Sequence, residues 1–193
     1  MPLFCAIRLS SNRIRLLNLF LTFLMLVCCS DAAFLQARTA DSGLESQVKA
    51  AYLYNFTKFV YWNRPESDNK KDPITIALLE ADSICDLLEV FSKKGGSDHS
   101  IVIRRISGKR LDIQNCHLLF IGQAGLAKWP ALAGLLEGTD TLTVSDIPGF
   151  ARQGGMIGLF LSKNQIGIEI NMDKVQKAGL KISAKLLEIA KIL

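Results

Sequence analysis

The sequence predicts an α/β fold: a three-layer sandwich with a largely parallel central sheet, flanking helices and an antiparallel hairpin near the C-terminus. Three observations predict it. Pro73–Glu80 (PITIALLE), Ser100–Ile106 (SIVIRRI) and Cys116–Ile121 (CHLLFI) are short apolar or β-branched runs with the length of buried strands. Helical segments alternate with them, as crossover helices do between parallel strands. Met156–Leu161 and Ile166–Ile170 flank the polar Ser162–Gln165, which is the pattern of a hairpin.

The chain opens on an export signal. Arg8, Arg13 and Arg15 precede Leu16–Val27, an uncharged run of twelve residues. A membrane-spanning helix needs roughly 20 apolar residues. A shorter run behind basic residues fits a secretory signal instead. Ser30 and Ala32 give the small-x-small pattern for cleavage between Ala32 and Ala33. Two alternatives stay open. One is an uncleaved N-terminal anchor, against which Ser30 and Asp31 end the apolar run early. The other is a lipid-anchored form, because Leu26–Cys29 loosely resembles a lipobox, with Val27 or Cys28 where Gly, Ala or Ser normally stands. The expected organisation is a signal peptide over 1–32, a leader over 33–44 and a single domain over 45–193.

Each element of that domain has its own signal. Ser42-x-x-Glu45 is a capping box, and the helix after it runs to about Trp62. Val48, Ala51, Tyr52, Phe56, Phe59 and Val60 form its expected apolar face, with Tyr54, Lys58 and Tyr61 on another. Pro65 and the polar run to Asp72 end it. Ile84–Phe91 reads as a short helix, and Leu126–Leu136 as another with Pro130 in its first turn. Thr139–Val144 is a strand, and Ser145–Gly155 a loop or short helix. Asn171 caps a helix closed by Gly179. Ser183 caps a last helix with Ile182, Leu186, Ile189 and Leu193 as its stripe.

Composition limits the function. The full chain has 23 basic and 18 acidic residues. Signal cleavage takes three arginines and Asp31, leaving a mildly basic chain with dispersed charge, which does not argue for nucleic acid. Cleavage also removes Cys5, Cys28 and Cys29, leaving Cys85 and Cys116. In an oxidising compartment they are expected to form one disulfide, worth about 3–4 kcal/mol by loop closure; the alternative is two buried thiols. Only His99 and His117 are present, and neither has a neighbour at metal-ligand spacing, so no metal is expected. There is no nucleophile elbow and no phosphate-binding loop, and Gly154-Gly155 precedes a strand rather than a helix. Asp146 and Glu169 make a carboxylate pair only if the fold joins them. The expectation is therefore a protein that is not an enzyme and uses no cofactor. What stands out is aromatic: Tyr54, Tyr61 and Trp62 fall off the apolar face, with Arg64 beside them, in the composition of a protein-binding hot spot.

The run Val48–Trp62 (VKAAYLYNFTKFVYW) resembles the opening motif of the YfiR/HmsC-like family of periplasmic regulatory proteins. Asn115–Ile121, Leu142–Asp146 with Phe150-Ala151, Gly154–Ile157, Ile168–Asn171 and Ala178–Leu187 are similar to the family's later blocks, in order. The resemblance implies a periplasmic α/β domain, often a homodimer, that restrains an inner-membrane diguanylate cyclase by binding its periplasmic sensor. It also implies an outer-membrane lipoprotein as a possible sequestering partner, with cyclic di-GMP and biofilm formation as output. Cys85 and Cys116 fit the family's first disulfide positions. The second pair, which some members carry in the region matching Ser145–Leu159, is missing here. A different function class, a small-ligand receptor feeding a sensor kinase or transporter, is the alternative, since an open α/β sheet offers a crevice at its strand ends.

Overall fold

The computed structural model describes residues 43–62, 73–93, 100–107, 113–163 and 165–193. The signal peptide, the Ala32/Ala33 cleavage site, most of the leader, the Ser42 cap, Arg64 and His99 lie outside the described residues. The compact unit Glu45–Leu193 carries the fold.

Helix α1 spans residues 43–59 and leads into a short strand β1, Val60–Tyr61. There follow β2 (Ile74–Leu79), α2 (Asp82–Lys93), β3 (Ile101–Ile106), β4 (Leu118–Ile121), a 3-10 turn at Gln123–Lys128 and α3 (Trp129–Leu135). Then come β5 (Leu142–Ser145), β6 (Ile157–Ser162), β7 (Gln165–Ile170), α4 (Met172–Lys177), β8 (Lys181–Ile182), α5 (Ala184–Leu187) and β9 (Ala190–Ile192). Seven strands make one sheet in the order β3-β2-β4-β5-β6-β7-β9. The pairs from β3 to β6 are parallel, and β6–β7 is the antiparallel hairpin. The fold class read from the sequence is the one observed.

Side-chain alternation divides the core into two layers. Ile74, Ile76 and Leu78 of β2 and Leu118 and Phe120 of β4 face α1, α2 and α4. Ala77, Leu79, Leu119 and Ile121 face α3. The layering follows from handedness. The chain steps one way from β2 through α2 to β3, and the other way from β4 through α3 to β5. Right-handed crossovers travelling in opposite directions put their helices on opposite faces. The order therefore reverses between β2 and β4, and the two strand ends nearly touch there. Gly122 donates its N–H to Leu79 O, and a Cβ on it would lie 2.2 Å from Glu80 O.

Three expected elements differ. The face α1 buries is carried by Ala50, Leu53, Phe56 and Val60, while Tyr52 and Phe59 are only half-buried. The stripe is rotated relative to the expected one, and Tyr52 instead reaches the hairpin, donating its hydroxyl to Ile166 O of β7. The helix also stops short of Trp62: Val60 and Tyr61 pair antiparallel with Ile182 and Lys181, and Ser183 N–H donates to Phe59 O. The last helix is one turn, α5, and the chain finishes as β9 on β7. Ladder bonds to β7 override the helical spacing of Leu186, Ile189 and Leu193. Pro130 does sit in the first turn of α3, and Asn171 caps α4 by accepting from Lys174 N–H.

Candidate functional site

The aromatic cluster lies where α1 becomes β1. Pairing with β8 fixes the alternation there: Val60 points into the core, and Tyr61 is 56% exposed. Tyr54 packs partly against the core, and the Lys58 ammonium lies 4.8 Å from its ring centre, a cation–π contact. Trp62 is tied down. Its Nε1–H donates to His117 O at 3.0 Å, and its ring meets the imidazole edge-on at 5.7 Å. His117 in turn accepts the Thr75 N–H on Nδ1 at 3.0 Å, which requires Nδ1 to be unprotonated. Trp62 thus straps β1 to the amino end of β4. Of the expected partner-binding set, Tyr61 is offered to solvent, Tyr54 is shared with Lys58, Trp62 is bound to His117, and Arg64 lies outside the described residues.

The expected Cys85–Cys116 disulfide is not present. Cys85, on α2, belongs to the core layer on one face of the sheet, and Cys116, just before β4, to the layer on the other. The sheet stands between the two sulfurs. Cys116 Sγ lies 3.1 Å from Ile113 O. Burial pushes the Cys85 thiol above its ordinary pKa, with the acids of α2 adding to the effect and Arg105 opposing it.

Two buried ion clusters were not expected. Lys49 reaches Asp146 Oδ2 and Glu45 Oε1, both at 2.5 Å, with the Lys49 and Asp146 side chains only 8% and 11% exposed. Burial alone would lower the Lys49 pKa, but the hydrogen bonds to Asp146 and Glu45 outweigh it and the ammonium is held above its ordinary value. Asp146 Oδ1 is buried and accepts no hydrogen bond among the described residues. The second cluster centres on Glu169, whose Oε1 takes Arg152 at 2.8 Å and Lys191 at 3.3 Å. Burial would raise its pKa, and those two cations bring it below the ordinary value instead. Asp146 and Glu169 do not form a carboxylate pair. Ser145 and Glu169 lie in one cross-strand row through Gly158 and point to the α3 side, whereas Asp146 turns to α1. A sequence signal for Lys49 existed: with Leu53, Phe56 and Val60 it continues a stripe at steps of four and three, a lysine on a core face.

At the reversal of strand order, Lys128 pairs with Glu80 at 2.5 Å across the ends of β2 and β4. Among the described residues no group of three or more His, Cys, Asp or Glu side chains is placed to hold a metal ion. No described helix is long and apolar enough to cross a membrane.

This architecture defines an α/β domain with a mixed seven-stranded sheet, closed at its amino end by an aromatic strap. The YfiR/HmsC-like family model matches residues 46–191, nearly the whole of that domain, and the chain belongs to this family. The family comprises periplasmic regulators of diguanylate cyclases. No curated protein matches the sequence.

Proposed function

We propose that this chain is a periplasmic repressor that binds the periplasmic sensor of an inner-membrane diguanylate cyclase and holds down cyclic di-GMP synthesis and biofilm formation. The family match over 46–191 carries the reading, since it spans both helical layers and nearly the whole sheet. It acts by binding rather than by catalysis. The signal peptide over 1–32 delivers it, and an outer-membrane lipoprotein that sequesters it would release the cyclase. The geometry adds a contact point. Tyr61 stands on a two-stranded ladder anchored by Val60 beneath and Trp62 beside it, so its backbone is fixed while its ring is offered to solvent.

The test is made in the cell that encodes the protein. Deletion should raise cyclic di-GMP and biofilm, and the unaltered gene should reverse both. A photoreactive residue at Tyr61 should cross-link a membrane cyclase. Tyr61→Ala should fold normally, within about 0.5 kcal/mol of the unaltered protein, as exposed positions do, and repress less well. Unchanged cyclic di-GMP on deletion refutes the reading.

A further inference from the structure

The helical layer on the α3 side does not reach the hairpin. It covers β2, β3 and β4 through Ala77, Leu79, Ile106, Leu119 and Ile121. Only Ile157 and Gly158 of β6 pair with β5. The hairpin ladder then runs on past the end of β5, from Leu159↔Ile168 to Ser162↔Gln165. Register and alternation put Phe160, Gly167, Glu169 and Lys191 on the α3 side of this arm. The Phe160 ring lies over Gly167, where a Cβ would come within 2.5 Å of it. Phe160 is nonetheless 39% exposed, and Ile189, in the turn that leads into β9, is 64% exposed.

Charge distinguishes this face from an ordinary apolar strip. Arg152 and Lys191 both bond the same oxygen, Oε1 of Glu169. Glu169 is buried, while both cations are more than half exposed. Two positive charges share one negative one, and the carboxylate lies beneath them. Each cation spends one contact on Glu169 and keeps further N–H donors in solvent; Arg alone has five. Lys163 at the hairpin turn adds a third exposed cation to the arm, against one exposed acid, Glu188.

We propose that this face is a docking site for an acidic protein segment, in which a partner carboxylate sits on Arg152 and Lys191 and an adjoining apolar side chain packs on Phe160 and Ile189. Arginine and aromatic side chains are both enriched at binding interfaces. Glu169 holds both cations in place before the partner arrives, which lowers the ordering cost of binding. The site is separate from Tyr61 and does not rest on the cyclase reading.

The test uses the purified exported chain and a fluorescein-labelled peptide of alternating Glu and Leu, with a Lys/Leu peptide of the same length as control. Anisotropy should show binding of the acidic peptide alone, weakening as salt is raised. Arg152→Gln with Lys191→Gln should weaken binding about fivefold, the effect of losing two exposed charge contacts. Glu169→Gln should strengthen it, because glutamine keeps a carbonyl acceptor that holds the cations in place while the competing negative charge is removed; a purely structural triad would leave peptide affinity unchanged. Phe160→Ser and Ile189→Ser, at exposed positions, should each weaken binding and carry the test if the double variant fails to fold. Absence of acidic-peptide binding overturns the proposal. So does equal binding of the lysine peptide, or binding untouched by these changes.

Discussion

Lys49→Met is the sharpest probe of what fixes α1 to the sheet. Methionine keeps most of the apolar stem, which packs at a position 6% exposed, and removes only the ammonium. Asp146 then loses the one donor its carboxylate has, since Oδ1 already accepts nothing among the described residues. A carboxylate stranded in a site 11% exposed falls in the range for breaking a buried pair, about 3–5 kcal/mol. Glu45 is about one-third exposed, so it regains water and adds little. The partner change is Asp146→Leu. Alone it leaves Lys49 with Glu45 and costs less, about 2 kcal/mol, below that range because one anion remains. The double variant replaces the pair by apolar groups, and such replacements are close to neutral. It should lie nearer the unaltered protein than Lys49→Met does. Urea unfolding followed by circular dichroism measures all four proteins, with the slope checked for constancy. A Lys49→Met cost below about 1 kcal/mol, or a double-variant cost equal to the sum of the singles, would refute the assignment of this pair as the fastening of α1.

Three further outcomes follow from the geometry. Gly122→Ala places a methyl 2.2 Å from Glu80 O, a backbone atom that cannot swing aside, and should cost about 1–3 kcal/mol in the same unfolding assay. Glu169 has its pKa lowered in the folded protein, so its contribution is complete above the ordinary glutamate range near pH 4.3 and is lost as pH falls through the folded value. Stability against pH from 6 to 3 should therefore fall more steeply for the unaltered protein than for Glu169→Gln. The folded domain exposed to a mild oxidant should yield no Cys85–Cys116 cross-link by non-reducing mass spectrometry, because the sheet separates the thiols.

The central strands and the hairpin were legible because their apolar runs are short, rich in β-branched residues and bounded by turn residues. The α1 face was legible only as a period. Eight of the eleven residues from Ala50 to Val60 are apolar or aromatic, so hydrophobicity alone does not choose between the Leu53 stripe and the Tyr52 stripe. Lys49, itself buried, lies on the Leu53 stripe. The C-terminal helix failed for a different reason. Leu186, Ile189 and Leu193 have helical spacing, yet β7 presents an open edge, and Leu193 N–H bonds Ile170 O instead of a carbonyl in its own turn. That edge is a property of the assembled sheet and has no trace in the local sequence. The disulfide expectation failed similarly. An even cysteine count carries no information about which face of a sheet each cysteine occupies. Trp62 was singled out as a partner-binding residue, but its strap to His117 depends on β2 and β4 lying side by side.

The two-stranded ladder between β1 and β8 joins residues 60–61 to residues 181–182 and so ties the first helix to nearly the last segment of the chain. Such long-range pairings make folding slow, because the intervening loop must close before any contact rewards it. A chain delivered amino end first, by ribosome or secretion channel, brings out α1 long before the strand that completes it. The Leu53–Phe56 face then has no sheet to bury against, and β9 arrives last of all to cap the final edge. The native state thus waits for β8 and β9, and loss of residues 181–193 would disturb the N-terminal helix as surely as the C-terminal strand.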